Sequence, residues 1–137
     1  MTDISARQRE AKILQRLIAA VFIGLGGWCL IAPASVVSLT VLPEHQAYST
    51  LVLVSIGAFG AQACLAGLFA AFSVFTRQTF LAYAIALLPF FGFDWWFYSV
   101  RPLFNELILL DVVGNVVMLA LCRRGYILLG DETTVAG

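Results

Sequence analysis

The sequence predicts an all-α protein: a transmembrane four-helix bundle forming a single integral membrane domain, with both termini in the cytoplasm. Three observations predict it. Of the 137 residues, 61% are hydrophobic and only 12% charged. A soluble domain has roughly a quarter of its residues charged, and half that leaves too little polar surface to coat a globule. The apolar residues gather in four stretches of about the length, ~20 residues, that a helix needs to cross a bilayer. Finally, the basic residues are unevenly placed. Arg7, Arg9, Lys12, Arg16, Arg77, Arg123 and Arg124 fall in segments on one side of the threading and Arg101 alone on the other. That bias puts the first side in the cytoplasm. The formal net charge is zero, so no basic field exists to hold nucleic acid.

Residues 1–16 are polar, basic and helix-prone, and Ser5 is placed to cap a helix running into the first span; they read as a cytoplasmic extension. The first span covers about residues 17–38, interrupted by Gly24, Gly26 and Gly27, with Pro33 bending or stopping its outer end. Ala32-Pro33-Ala34 has the look of a signal-peptidase site. The apolar core before it is as long as a span and its leader contains Glu10, so the segment is expected to be retained. Residues 42–49 form a loop holding His45, the only histidine, with no Cys or second His nearby to make a metal site.

The second span, residues 50–75, is rich in small side chains. Ala63, Gly67 and Ala71 recur every four residues, as do Gly60 and Cys64, and Gly57 lies close to the same stripe. Spacing of four places small residues on one helix face and lets another helix approach closely. This face is the expected contact with a membrane-protein partner or a second copy. Gln62 is the one strong polar group in the span and is expected to bond to a neighbouring helix. Cys29, Cys64 and Cys122 fall in different spans and read as small packing residues, not disulfide partners.

The third span covers residues 79–97, with Pro89 in its outer half leaving the Ile85 carbonyl without its helical donor. Trp95, Trp96 and Tyr98 are amphipathic rings suited to the membrane–water boundary. The fourth span covers residues 103–122 and ends at Arg123-Arg124; residues 125–137 read as a flexible tail.

The polar residues of the last two spans form the candidate pocket: Asp111, Asn115, Gln62, Glu106, Asp94 and Arg101. Counted upward from Arg123, Asp111 lies about 18 Å into the bilayer and Glu106 about 25 Å, at roughly 1.5 Å per residue. Asp111 and Asn115 share a helix face, while Glu106 points about 140° away. Asp111 and Asn115 are thus expected to act together, and Glu106 to join Asp94 and Arg101 in a surface layer. An ionised Asp at mid-membrane depth costs roughly 2.5–3.5 kcal/mol or more, so Asp111 should face the interior and be protonated or partnered. Asn115, Gln62, Tyr83 and backbone freed by Pro89 are the available partners.

The layout from Gly24 to Pro33, the Gly60 and Gly67 pair, and four helices in so short a chain resemble the DoxX-like group of small bacterial membrane proteins. The resemblance implies a compact four-span protein of a bacterial cytoplasmic membrane and assigns no functional residue. There is no nucleophile elbow, zincin, phosphate-loop or dinucleotide motif, and no His inside a span to ligate haem. No cofactor or metal is expected. The expected function is that of a non-enzymatic accessory or assembly subunit of a membrane complex. The alternative is a small-molecule or proton-handling protein with an outward-facing pocket around Asp111.

Overall fold

Ala32 divides the first apolar stretch into two helices. The computed structural model describes residues 2–130, and among these the chain is helical, with no β-strand. Helix α1 (Thr2–Ile31) ends beside Ala32, whose φ of −132° and ψ of 55° are not helical. A residue before proline is driven out of the α region by the ring, and Pro33 then opens α2 (Pro33–Thr40) at its first position. A short 3₁₀ turn, Pro43–His45, leads on to α3 (Thr50–Phe72), where the Ser49 hydroxyl accepts from Val52 N. Helix α4 (Arg77–Trp95) starts on a capping box in which Thr76 and Thr79 satisfy each other's backbone N–H. It continues as a π turn over Trp96–Val100. Helix α5 (Ile108–Leu128) closes the described chain.

Three helical segments are long and apolar enough to cross a membrane: Ser5–Ile31, Thr50–Phe72 and Arg77–Val100. Helix α5 has 21 residues but carries Asp111, Arg123 and Arg124 within its length.

Several expected boundaries move. The first helix runs unbroken from Thr2 into the apolar stretch, as its helix-prone start suggests, but its early part is not an appendage: Ala11, Leu14 and Gln15 are buried. The Gln15 amide donates to Ala70 O at 2.7 Å and Ser73 O at 2.6 Å, and its carbonyl accepts from Phe75 N at 3.3 Å. One side chain thereby satisfies carbonyls left open at the end of α3, together with the turn beyond it. Pro89 sits inside α4 without ending it. The last helix starts at Ile108, not 103, because the preceding residues make other bonds. Leu42 N donates to Leu103 O and Asn105 N to Thr40 O, both at 2.9 Å, and Asn105 Nδ2 donates to Leu39 O at 2.7 Å. The same helix passes through Arg123-Arg124 to Leu128, with Arg124 ion-paired to Glu10 of α1. Residues 131–137, the rest of the expected tail, lie outside the described residues.

Helix α1 packs along α3 and also touches α5, which pairs with α4. Between α3 and α4, Tyr83 Oη donates to Ala66 O at 2.7 Å, and the rings of Phe59 and Phe90 lie 6.2 Å apart. The best-buried cluster lies where Ile18 of α1, Phe80 of α4 and Cys122 of α5 meet, all three with no accessible surface. Gly125 lies directly beneath the Phe80 ring. Elsewhere the helices turn large apolar side chains outward, among them Leu51, Phe69 and Phe72.

The α1–α3 contact accounts for most of the small-residue stripe. A Cβ built on Gly60 would lie 2.5 Å from Gly26 O and Leu30 N, and one on Gly26 would lie 2.8 Å from the Ala63 Cβ and Cys64 N. Gly67 faces Ile23 and Phe22, and the Cys64 thiol donates to Ile23 O at 3.9 Å. Ala71 is half-buried against the cluster around Ile18 and Phe80. Gly57 has open space around it, so it is not part of this contact. The stripe is thus occupied by α1 of the same chain.

Candidate functional site

Asp94 and Asn115 are 3% and 7% exposed, and with Gln15 they are the buried polar side chains among the described residues. Asn115 belongs to α5, one turn after Asp111, so its amide reaches back along the helix: Nδ2 donates to Asp111 Oδ2 at 2.9 Å. The same nitrogen donates across to Asp94 Oδ2 of α4 at 3.5 Å. Asp94 and Asp111 are themselves within hydrogen-bonding reach of one another.

Two carboxyls therefore share one amide donor. No arginine or lysine among the described residues pairs with either acid. An ionised carboxyl only accepts hydrogen bonds, so contact between two of them becomes a hydrogen bond only when one holds a proton. A group of this kind can hold a proton between its members, and Asn115 can neutralise part of the lone-pair demand without supplying charge. Among the described residues, no three His, Cys, Asp or Glu side chains are grouped to hold a metal. Two surface grooves, one along Leu65, Phe69 and Phe72 and one along Ala120, Arg123 and Ile127, are lined by none of the three residues.

Of the six expected pocket residues, the structure brings together Asp111, Asn115 and Asp94. Its sequence neighbours lead one to expect Asp94 in a surface layer with Arg101 and Glu106. Instead it is buried in the Asp111 layer, because α4 continues helically through it and turns its side chain towards α5. Arg101 and Glu106 are exposed and form no ion pair with each other or with Asp94. Gln62 is exposed on the far side of α3, away from the stripe, and Tyr83 bonds to Ala66 instead of Asp111. Trp95, Trp96 and Tyr98 are exposed at the end of α4 and in the π turn. Gln15 and Asn105, which hold the two ends of the molecule together, carried no motif. Their signal is only that a Gln and an Asn lie beside helix ends whose carbonyls need donors.

The chain is a helical protein with three helices of membrane-crossing length and composition and a carboxyl pair made of the buried Asp94 and the half-buried Asp111. Comparison of the chain with protein-family models, curated proteins and solved structures finds no match.

Proposed function

We propose that this is an integral membrane protein of four spans whose Asp94–Asn115–Asp111 group takes up and releases a proton near its outer face. The observation that carries this reading is the second acid: Asn115 donates to both carboxyls. A lone intramembrane carboxyl is a poor relay, because a proton needs somewhere to go. A pair bridged by an amide offers two sites at one depth, and intramembrane acids are expensive enough to mark function. In this reading α5 is the fourth span, both termini are cytoplasmic, and the membrane is a bacterial cytoplasmic one. The seven-to-one division of basic residues supports the orientation, and the layout shared with DoxX-like proteins supports the membrane. The test is infrared difference spectroscopy of the reconstituted protein after a pH step. A carboxyl C=O band that follows pH in the wild type and is lost in both Asp94→Asn and Asp111→Asn supports the relay. A spectrum unchanged by pH rejects it.

A second reading, an accessory subunit that works by assembly, is favoured by the outward face of α3, which presents an amide to the bilayer. On this reading Asp111→Asn leaves assembly and activity near normal, and the carboxyl group serves only to bind α4 to α5.

A further inference from the structure

Gln62 stands at the thirteenth position of the 23-residue α3, about 18 Å from its start at ~1.5 Å per residue. If α3 crosses a bilayer, as its length and composition allow, this is close to the midplane of a core about 30 Å thick. Gln62 is exposed and has no hydrogen-bond partner among the described residues. Its neighbour on the same helix, Ser55, shows the contrast: that hydroxyl bonds back to Leu51 O at 2.8 Å and needs nothing else. An amide left open to hydrocarbon costs several kcal/mol in the absence of any partner. The midplane offers no water or headgroup within a glutamine's reach.

We propose that the outward face of α3 around Gln62 is the seam of a parallel homodimer, closed by reciprocal hydrogen bonds between the two Gln62 amides. This rests on the reading that α3 spans the membrane. The small-residue stripe is taken by α1, so the opposite face is the one free to meet a neighbour. Ala58, Gln62, Leu65 and Phe69 follow one another at spacings of four, three and four residues, and all four are exposed. That is the spacing of a left-handed helix pair. Below Gln62 the same face is recessed into a groove lined by Leu65, Leu68, Phe69 and Phe72.

The choice of a second copy follows from chemistry and symmetry. Copies inserted by the same charge rule have the same orientation, so a two-fold axis along the membrane normal brings each residue level with itself. A carboxylate or an ammonium so placed would repel its twin. An amide carries both a donor and an acceptor, so Gln62 satisfies Gln62 in both directions at once. A different partner would need a polar group of its own at the same depth.

The experiment uses the full chain, carrying donor and acceptor dyes at the N-terminus, in phosphatidylcholine vesicles over a series of protein-to-lipid ratios. Energy transfer in the wild type is expected to rise with protein density. Gln62→Leu should raise the dimer dissociation constant roughly tenfold, the effect of one to two such bonds between membrane helices. Helical circular dichroism checks that the variant folds, which is expected because Gln62 has no hydrogen-bond partner among the described residues. Ala58→Trp, which adds bulk to the same seam, should also dissociate the pair. The inference fails if the wild type is monomeric at every ratio, or if Gln62→Leu associates as tightly as the wild type. It fails equally if the wild type binds only some different membrane protein and Gln62→Leu releases it. Flotation of the vesicles separates the two levels: protein that floats but stays monomeric overturns the dimer alone, and protein that does not float overturns the membrane reading with it.

Discussion

The side-chain amide of Asn115 bonds to Asp94 across the α4–α5 contact while holding Asp111 of its own helix. An amide nitrogen has two hydrogens, so this arrangement uses the whole donor capacity of one residue on two acids.

Asn115→Leu should therefore be far worse than its similar size suggests. It strands two carboxyls, each costing about 1–3 kcal/mol when unsatisfied. A loss of several kcal/mol in thermal unfolding in mild detergent is expected. Adding Asp94→Asn to that variant should recover part of the loss, since the replacement amide donates to Asp111 in its turn. Strictly additive losses would show that the three groups do not act as one network.

Gly60→Ala and Gly57→Ala form a matched pair on one helix. At Gly60 the new methyl meets the α1 backbone at 2.5 Å, which no side-chain rotation relieves; at Gly57 it meets nothing within 4 Å. Overpacking of this kind costs roughly 1–3 kcal/mol. Thermal unfolding should show that loss for Gly60→Ala and little change for Gly57→Ala. Equal behaviour of the two would mean that α1 does not approach α3 as described.

Gln15→Leu keeps the volume and removes all three bonds to the end of α3. Hydrogen exchange should quicken at the Phe75 amide, which donates to the Gln15 carbonyl. Exchange at Val52, beside the Ser49 cap at the other end of α3, should stay as it was. Unchanged protection at Phe75 would refute the role given to Gln15.

Asn105→Ala should loosen the opposite end of the molecule, where residues 39–42 meet residues 103–107. It removes the bond to Leu39 O and the one that orders Leu107 N at 2.9 Å. The expected loss is about 1 kcal/mol per bond, with faster proteolysis between residues 100 and 108 as the readout.

The helical class and the three long apolar segments were legible in the sequence because length and hydropathy alone define them. The pairing of Asp111 with Asn115 was legible too, because a spacing of four fixes a shared helix face whatever the tertiary structure. Asp94 was misjudged for a local reason. Its neighbours Trp95 and Trp96 have the character of a boundary, and in sequence alone the acid cannot be told apart from them. A hairpin that turns at Leu103 puts Asp94 nine residues before the turn and Asp111 eight after it, and that count would have set them level. The start of α5 was misjudged because Leu103 and Phe104 are as apolar as any span residue. What removes them from the helix is backbone bonding to residues 40–42 and to Phe97, which leaves no trace in composition. Gln15 was hidden by its surroundings, one polar residue in a polar leader, although Ala11, Leu14 and Ile18 beside it mark a buried helix face.

Asp94, Asp111 and Asn115 all lie on the hairpin made by α4 and α5, and the bonds between them need nothing from α1 or α3. This bears on biogenesis. A carboxyl entering a bilayer one helix at a time would be stranded until its partner arrived. Here the two acids and their amide lie within 22 residues of one another in the chain. On the proposed reading, in which α5 is the fourth span, the hairpin would leave the aqueous channel as a preassembled unit, with its most costly groups already satisfied and only its apolar faces left to find the rest of the protein.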